Sequence, residues 1–280
     1  MHKQQGISLI EMMVALLLAS FVIAIAVMLY LHFDRAARFS ENKLNVARKA
    51  AVGLQMIVND VQTLQSLSPI NCPELGFQNR TGEKIVGIDE ASLGLVKIYP
   101  AGNSVLKQLG IEAIAGTQAL LAYLPKGSLN YLELAAKSTD TSLRLNHAEN
   151  KQGTLWVVAN CKVKLLLLGR SYRSNVILNH ALGDDIAAGA TVWPLELRVF
   201  YIGQTSQGND ALFLRDDSGR HELVEDINSL KLSYGWVDSG QLVWSDRLLS
   251  GALLALIKIS LSVVGENNSE QLPWHREVLL

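Results

Sequence analysis

The stretch that decides the fold is Gly6–Leu31, GISLIEMMVALLLASFVIAIAVMLYL. From Met12 to Leu31 no residue is charged, and about 20 residues at about 1.5 Å each cross a hydrocarbon core of roughly 30 Å. One acid, Glu11, stands at the edge of this span. Placing a carboxylate in a bilayer costs several kcal/mol, so such a residue either pairs, marks a functional position, or snorkels to headgroup depth.

Outward from this span, the order of segments matters. A secretory signal carries its small-residue cleavage site after the apolar stretch, whereas here the candidate cut follows Gly6, before it. The run GISLIEMMVAL resembles the class III leader of type IV prepilins and pseudopilins. The resemblance implies that a prepilin peptidase cuts after Gly6, that Ile7 becomes the N-methylated new terminus, and that Glu11 is the fifth mature residue. The family usually has Phe at the first mature position. Ile7 departs from that but is apolar and leaves Gly6 and Glu11 in register. In the family the acid pairs with the terminal ammonium of a neighbouring subunit, which implies a subunit-register role for Glu11. Lys3 before the span and Arg35 and Arg38 after it leave the positive-inside rule silent. Orientation therefore follows from the resemblance: a single-pass inner-membrane anchor with the rest of the chain in the periplasm.

With 280 residues, about 215 remain after a long helix is set aside, enough for one large domain or two small ones. A net charge of -1 gives no general attraction to nucleic acid or anionic lipid. The helix continues past the membrane, since Ala36–Gln65 holds no proline and only Gly53 as a weak helix former. Leu44, Ala47, Ala51, Leu54, Val58 and Val61 recur at spacings of three and four, predicting one apolar stripe for helix–sheet packing. The helix is expected to stop before Ser68-Pro69.

Beyond Pro69 the pattern changes to short β-branched and apolar runs separated by Gly, Asn, Asp or Ser. Strands are expected at 94–99, 119–124, 131–135, 154–159, 162–168, 195–202, 211–215, 230–236 and 253–264. In Leu195–Ile202 polar and apolar residues alternate at first, predicting a sheet with one covered face. One long helix followed by mostly antiparallel strands is an α+β, pilin-like arrangement. Its expected divisions are 1–6 leader, 7–31 transmembrane and assembly helix, 32–67 amphipathic continuation, and 68–280 periplasmic β-rich domain, with a second sheet or large insertions between about Pro73 and Ala190.

GTLWVVANC at Gly153–Cys161, LELRVFYI at Leu195–Ile202, ALFLR at Ala211–Arg215 and LVEDINSLKLSY at Leu223–Tyr234 resemble the PilW-like minor pilins. Such chains often continue into a basic ending, whereas this one stops at REVLL, Arg276–Leu280. The resemblance implies a structural minor pilin that primes or caps pilus assembly with other minor pilins and the major pilin. The GspJ-like pseudopilins of type II secretion share the same N-terminal pattern, and a pilus-tip adhesin or DNA-binding module is a third reading. Cys72 and Cys161 fall outside the membrane helix, in a compartment where disulfides persist, so they are expected to pair. Closing a loop of about 90 residues is worth up to roughly 4 kcal/mol.

No nucleophile elbow, Walker loop, H-E-x-x-H or C-x-x-C is present, so the chain reads as no enzyme, with no cofactor and no metal. Asp216, Asp217 and Glu222 around Ser218-Gly219 fail calcium-loop spacing and read as an acidic turn. Lys162, Lys164, Arg170 and Arg173 with Tyr172 form the one basic cluster that could meet DNA. A lysine-bearing sheet edge explains it more simply.

Overall fold

The computed structural model describes residues 9–64, 77–86, 88, 95–147, 151–238, 241–246, 256–264 and 271–279. The chain divides into two compact units, Met1–Arg48 and Lys49–Leu280. With no proline to remove a backbone donor, Leu9–Gln62 forms one α-helix of 54 residues, α1.

Among the described residues fifteen strands follow: β1 Gln78–Asn79, β2 Val96–Pro100, β3 Gln118–Pro125, β4 Asn130–Tyr131, β5 Ser142–Arg144, β6 Lys151–Ala159, β7 Lys164–Tyr172, β8 Asn175–Leu178, β9 Thr191–Gln204, β10 Asp210–Asp216, β11 Gly219–Glu225, β12 Ile227–Asp238, β13 Gln241–Ser245, β14 Leu256–Val264 and β15 Gln271–Leu279. A short helix, α2 Ser104–Gln108, is capped by the Asn103 side chain, which accepts from the Val105 N–H. The expected α+β, pilin-like class is the observed one: a long apolar helix followed by a mostly antiparallel β domain. The expected strand 131–135 is shorter than its apolar content suggested, with only Tyr131 in β4 and Leu132 in an isolated bridge.

The larger sheet runs β11-β10-β9-β6-β7-β8-β5, with β2, β3 and β4 joined through β9 and β1 parallel to β7. Its axis is β9, a 14-residue strand. The first half of β9 pairs with β6 and β4 and the second half with β3 and β10. Pro194 interrupts it without breaking it. The Pro194 carbonyl accepts from the Lys126 N–H at 2.8 Å, so the missing proline donor faces the same side, where the chain between β3 and β4 offers no continuous ladder. Among the described residues this sheet's buried side chains include two clusters. One gathers Leu121, Tyr123, Val157, Leu166, Val199 and Phe213; the other gathers Leu132, Leu143, Trp156, Leu165, Val176 and Val192.

The smaller sheet has the order β13-β12-β14-β15. In β14 the expected alternation is plain: Ile257, Ile259, Leu261 and Val263 are buried, while Lys258, Ser260 and Ser262 are half-buried. The two sheets are tied by side chains reaching backbone. Tyr234 Oη accepts from Ile98 N at 2.6 Å, and Gln118 Oε1 accepts from Leu232 N at 2.5 Å. Burial pushes the Tyr234 hydroxyl up to about 12.

The second unit opens with the last part of α1, and Gly53 explains how closely that helix approaches the sheets. A Cβ placed on Gly53 would lie 3.2 Å from Leu212 Cδ2, 3.2 Å from Leu261 Cδ1 and 3.8 Å from Val224 Cγ2. Those three residues come from β10, β14 and β11, so this one glycine faces both sheets where they meet the helix.

Candidate functional site

The first unit presents the apolar helix. From Leu9 to Leu31 every residue is exposed, among them Leu16 at 66%, Phe21 at 61% and Met28 at 72%. Exposure of this kind over a continuous span demands a cover, because each large apolar side chain left in water forgoes about 1.5–3 kcal/mol. The helix is long and apolar enough to cross a membrane, with a mean hydropathy of 2.9 over its apolar 18-residue stretch. Glu11 lies near the start of the described helix and is exposed. Gly6 and Ile7 lie outside the described residues.

In the second unit the end of α1 is held by ion pairs. Arg198 Nη1 donates to Asp60 Oδ2 at 2.7 Å, and Arg198 Nη2 is 3.6 Å from Glu196 Oε2. Lys126 Nζ lies 2.8 Å from Glu196 Oε1 and 3.7 Å from Asp217 Oδ2. Glu196 is only 5% exposed, so both of its cations are needed to hold its charge. Burial works against the Arg198 charge, but the Asp60 hydrogen bond and the Asp60 and Glu196 carboxylates outweigh it and raise its pKa. The Glu196 hydrogen bond likewise raises that of Lys126. Further along, Lys49 pairs with Asp226, and Arg276 Nη1 donates to Gln55 Oε1 at 3.0 Å. Asp226, with φ of 63°, is the one residue between β11 and β12, so the helix grips the chain where it passes from one sheet to the other.

The expected packing stripe is corrected by this geometry. Leu54, Val58 and Val61 are buried, but Leu44 is 51% exposed, Ala51 is exposed and Ala47 is half-buried. The buried line runs instead through Val46, Ala50, Gly53, Leu54, Ile57, Val58 and Val61. Apolar residues surround this part of the helix, and the face that docks is set by the glycine, which lets two leucines approach. The expectation of a single covered face on β9 is corrected as well. Glu196 and Arg198 alternate with apolar residues, yet Glu196 is buried between Lys126 and Arg198, and Arg198 is half-buried and met by Asp60 of the helix.

Ser218, His221 and Asp216 sit together in the β10–β11 turn but lack the geometry of a nucleophilic triad. Ser218 Oγ is 2.8 Å from His221 Nε2 and donates directly to Asp216 Oδ1 at 2.6 Å, while Asp216 approaches the same histidine nitrogen at 3.2 Å. A relay needs the acid on the opposite ring nitrogen, away from the nucleophile. Asp216 instead caps its turn. Burial opposes its charge, but hydrogen bonds from Ser218, His221 and Gly219 lower its pKa to about 2. Among the described residues no cluster of His, Cys, Asp or Glu fits a metal ion.

The basic cluster separates in space. Lys162 and Lys164 lie at one end of β7 and Tyr172 and Arg173 at the other, about 25 Å apart at strand rise. Lys164 is 6% exposed, with its Nζ 5.5 Å from the Phe77 ring centroid. Nor is β7 the expected sheet edge, since it pairs with β6, β8 and β1. Cys161 lies exposed in the β6–β7 turn and is no free thiol, whereas Cys72 lies outside the described residues. The ion pairs of Asp60, Arg198, Glu196 and Lys126 were not anticipated. The only sign of them in the sequence is the Glu-x-Arg spacing inside an apolar strand, which a solvent-facing strand shows equally.

Residues 1–27 match the family described as the prokaryotic N-terminal methylation motif. No curated protein and no solved structure matches the chain.

Proposed function

We propose, for a chain whose methylation motif and apolar helix indicate a type IV pilin or pseudopilin, that it is a PilW-like minor pilin which primes or caps a pilus together with other minor pilins and the major pilin. The motif implies processing by prepilin peptidase and assembly with other pilins, and it points to a structural rather than an enzymatic protein. The observation that carries the proposal is the exposed apolar span Leu9–Leu31 with a single acid, Glu11. Such a surface is covered by lipid before assembly and by neighbouring helices afterwards. In this reading Gly6 is the cleavage position, Ile7 carries the methylated terminus, and Glu11 meets the terminal ammonium of a neighbour to fix axial register. The β domain stands in the periplasm, where Cys161 pairs with Cys72.

The test is genetic and biochemical. Replacing Gly6 leaves an uncleaved precursor, and Glu11→Ala inserts into the membrane but fails to support normal piliation. Normal piliation with Glu11→Ala overturns the register role. Loss of protein secretion with pili intact in the deletion strain assigns the chain to a GspJ-like pseudopilin instead. For the cysteines, mass spectrometry of the unreduced protein is expected to yield a peptide linking Cys72 to Cys161.

A further inference from the structure

One face of the larger sheet does not follow the pattern of the rest. The strands β5, β7 and β8 bury Leu143, Leu165, Leu167, Val176 and Leu178 on one side, and on the other Leu166 of β7 joins the first core, so beyond Leu166 the outer side should be polar. It carries instead Tyr172 at 57% exposure and Ile177 at 41%, with exposed Arg144 and Arg170, and Tyr131 at 45% borders it. The register places these side chains together. Arg170 and Ser142 both pair with Ile177, and Tyr172 and Arg144 both pair with Asn175. Adjacent strands are about 4.8 Å apart, so an aromatic, an isoleucine and two arginines share one small area.

Tyr and Arg are the residues that dominate protein interface energetics, while lysine is depleted there. Among the described residues the charge on this face is unbalanced: Glu133 is taken by Arg144 at 2.9 Å, which leaves Arg170 in excess. The Arg173 guanidinium lies 5.3 Å from the Tyr172 ring centroid and covers one side of that ring, which disfavours stacking of a nucleic-acid base on it. The lysines that a polyanion track would use lie at the far end of β7.

We propose that this outer face of β5, β7 and β8 docks an acidic surface on another pilin-class subunit, with Tyr172 and Ile177 as the apolar centre and Arg170 as the charge partner. This rests on the pilin reading. It goes beyond that reading by assigning lateral contact to a surface remote in sequence from the helix.

The experiment places a photoreactive amino acid at Tyr172 in the full-length protein in its native membrane, with Ser260, on the outward face of the smaller sheet, as the control position. The expected product links Tyr172 to a different subunit carrying the same N-terminal motif, at a site flanked by Asp or Glu. Arg170→Glu should reduce it at least about fivefold, the effect of losing a contact worth about 1 kcal/mol. A lysine at the partner's acid should restore it. No product at Tyr172, a product unchanged by Arg170→Glu, or a link to nucleic acid or to a second copy of this chain overturns the proposal. Leader cleavage is followed in the same cells by gel mobility. Failure of cleavage counts against the pilin reading, whereas normal cleavage without the crosslink counts against the docking face alone.

Discussion

Enlarging Gly53 tests whether the helix is seated on the two sheets as closely as the geometry requires. A methyl at this position meets Leu212 and Leu261 at 3.2 Å, inside the 3.5–4.0 Å at which carbon atoms rest comfortably. Both leucines are fully buried, so each must leave its rotamer well to give way, at about 0.5–1.5 kcal/mol apiece. Against this, alanine favours the helix by about 1 kcal/mol over glycine. Gly53→Ala is therefore expected to destabilise by about 0–2 kcal/mol, the two effects opposing each other. Gly53→Val adds two further methyls at the same contact and costs about 3 kcal/mol by overpacking. Val52→Ala, at a position 47% exposed, is the control and shifts stability by about 0.5 kcal/mol or less. The assay is urea denaturation of the full-length protein in detergent, followed by tryptophan fluorescence. All five tryptophans fall between 156 and 274, so the signal reports the β-bearing unit. If Gly53→Val unfolds at the wild-type urea concentration while Gly53→Ala gains the whole helix-propensity increment, the close seat of the helix is refuted.

Arg198→Met strips the cation from Asp60 and halves the support of Glu196, and is expected to cost about 3 kcal/mol in the same assay; adding Asp60→Asn should recover part of the loss, and additive losses would show that the pair is not coupled. The Asp216 carboxylate, held at about 2 in the folded state against 3.8 ordinarily, contributes stability that is fully present above its ordinary pKa and is lost as pH falls towards 2. Ser218→Ala should flatten the fall in stability between pH 4 and pH 2, and an unchanged pH profile would remove Ser218 as the cause. Trp156 Nε1 and Asn130 Oδ1 are buried without a partner among the described residues and line one cavity of about 10 Å³, the room one water needs. A high-resolution crystal structure should show a single water bridging them, and a dry cavity would contradict this.

Parts of this architecture were legible because they rest on local repetition. The absence of proline to Gln62 and the strict alternation through Ile257, Ile259, Leu261 and Val263 each impose a period that one covered face explains. The packing face of α1 was not legible, for the helix carries Leu44, Val46, Ala50, Ala51, Val52, Leu54, Met56 and Ile57 on nearly every side. Several stripes satisfy a spacing of three and four, and hydropathy gives no weight to Gly53, the residue that selects among them. Glu196 and Arg198 were misread for a related reason. Alternation marks polar residues as outward, but a polar residue also faces inward when a neighbouring element brings the opposite charge, here Asp60 for Arg198, and Lys126 with Arg198 for Glu196.

By itself the sequence determined the membrane-length helix, the acid at its start and the leader pattern before it, because each depends on residues adjacent along the chain. Only the tertiary structure decided which helix face is buried, that the two ends of β7 separate Lys162 and Lys164 from Tyr172 and Arg173, and that Tyr172, Ile177, Arg170 and Arg144 share one surface. The physical reason is the pairing of strands. Hydrogen-bond register places residues dozens of positions apart within one strand spacing of each other and carries sequence neighbours to opposite ends of a sheet.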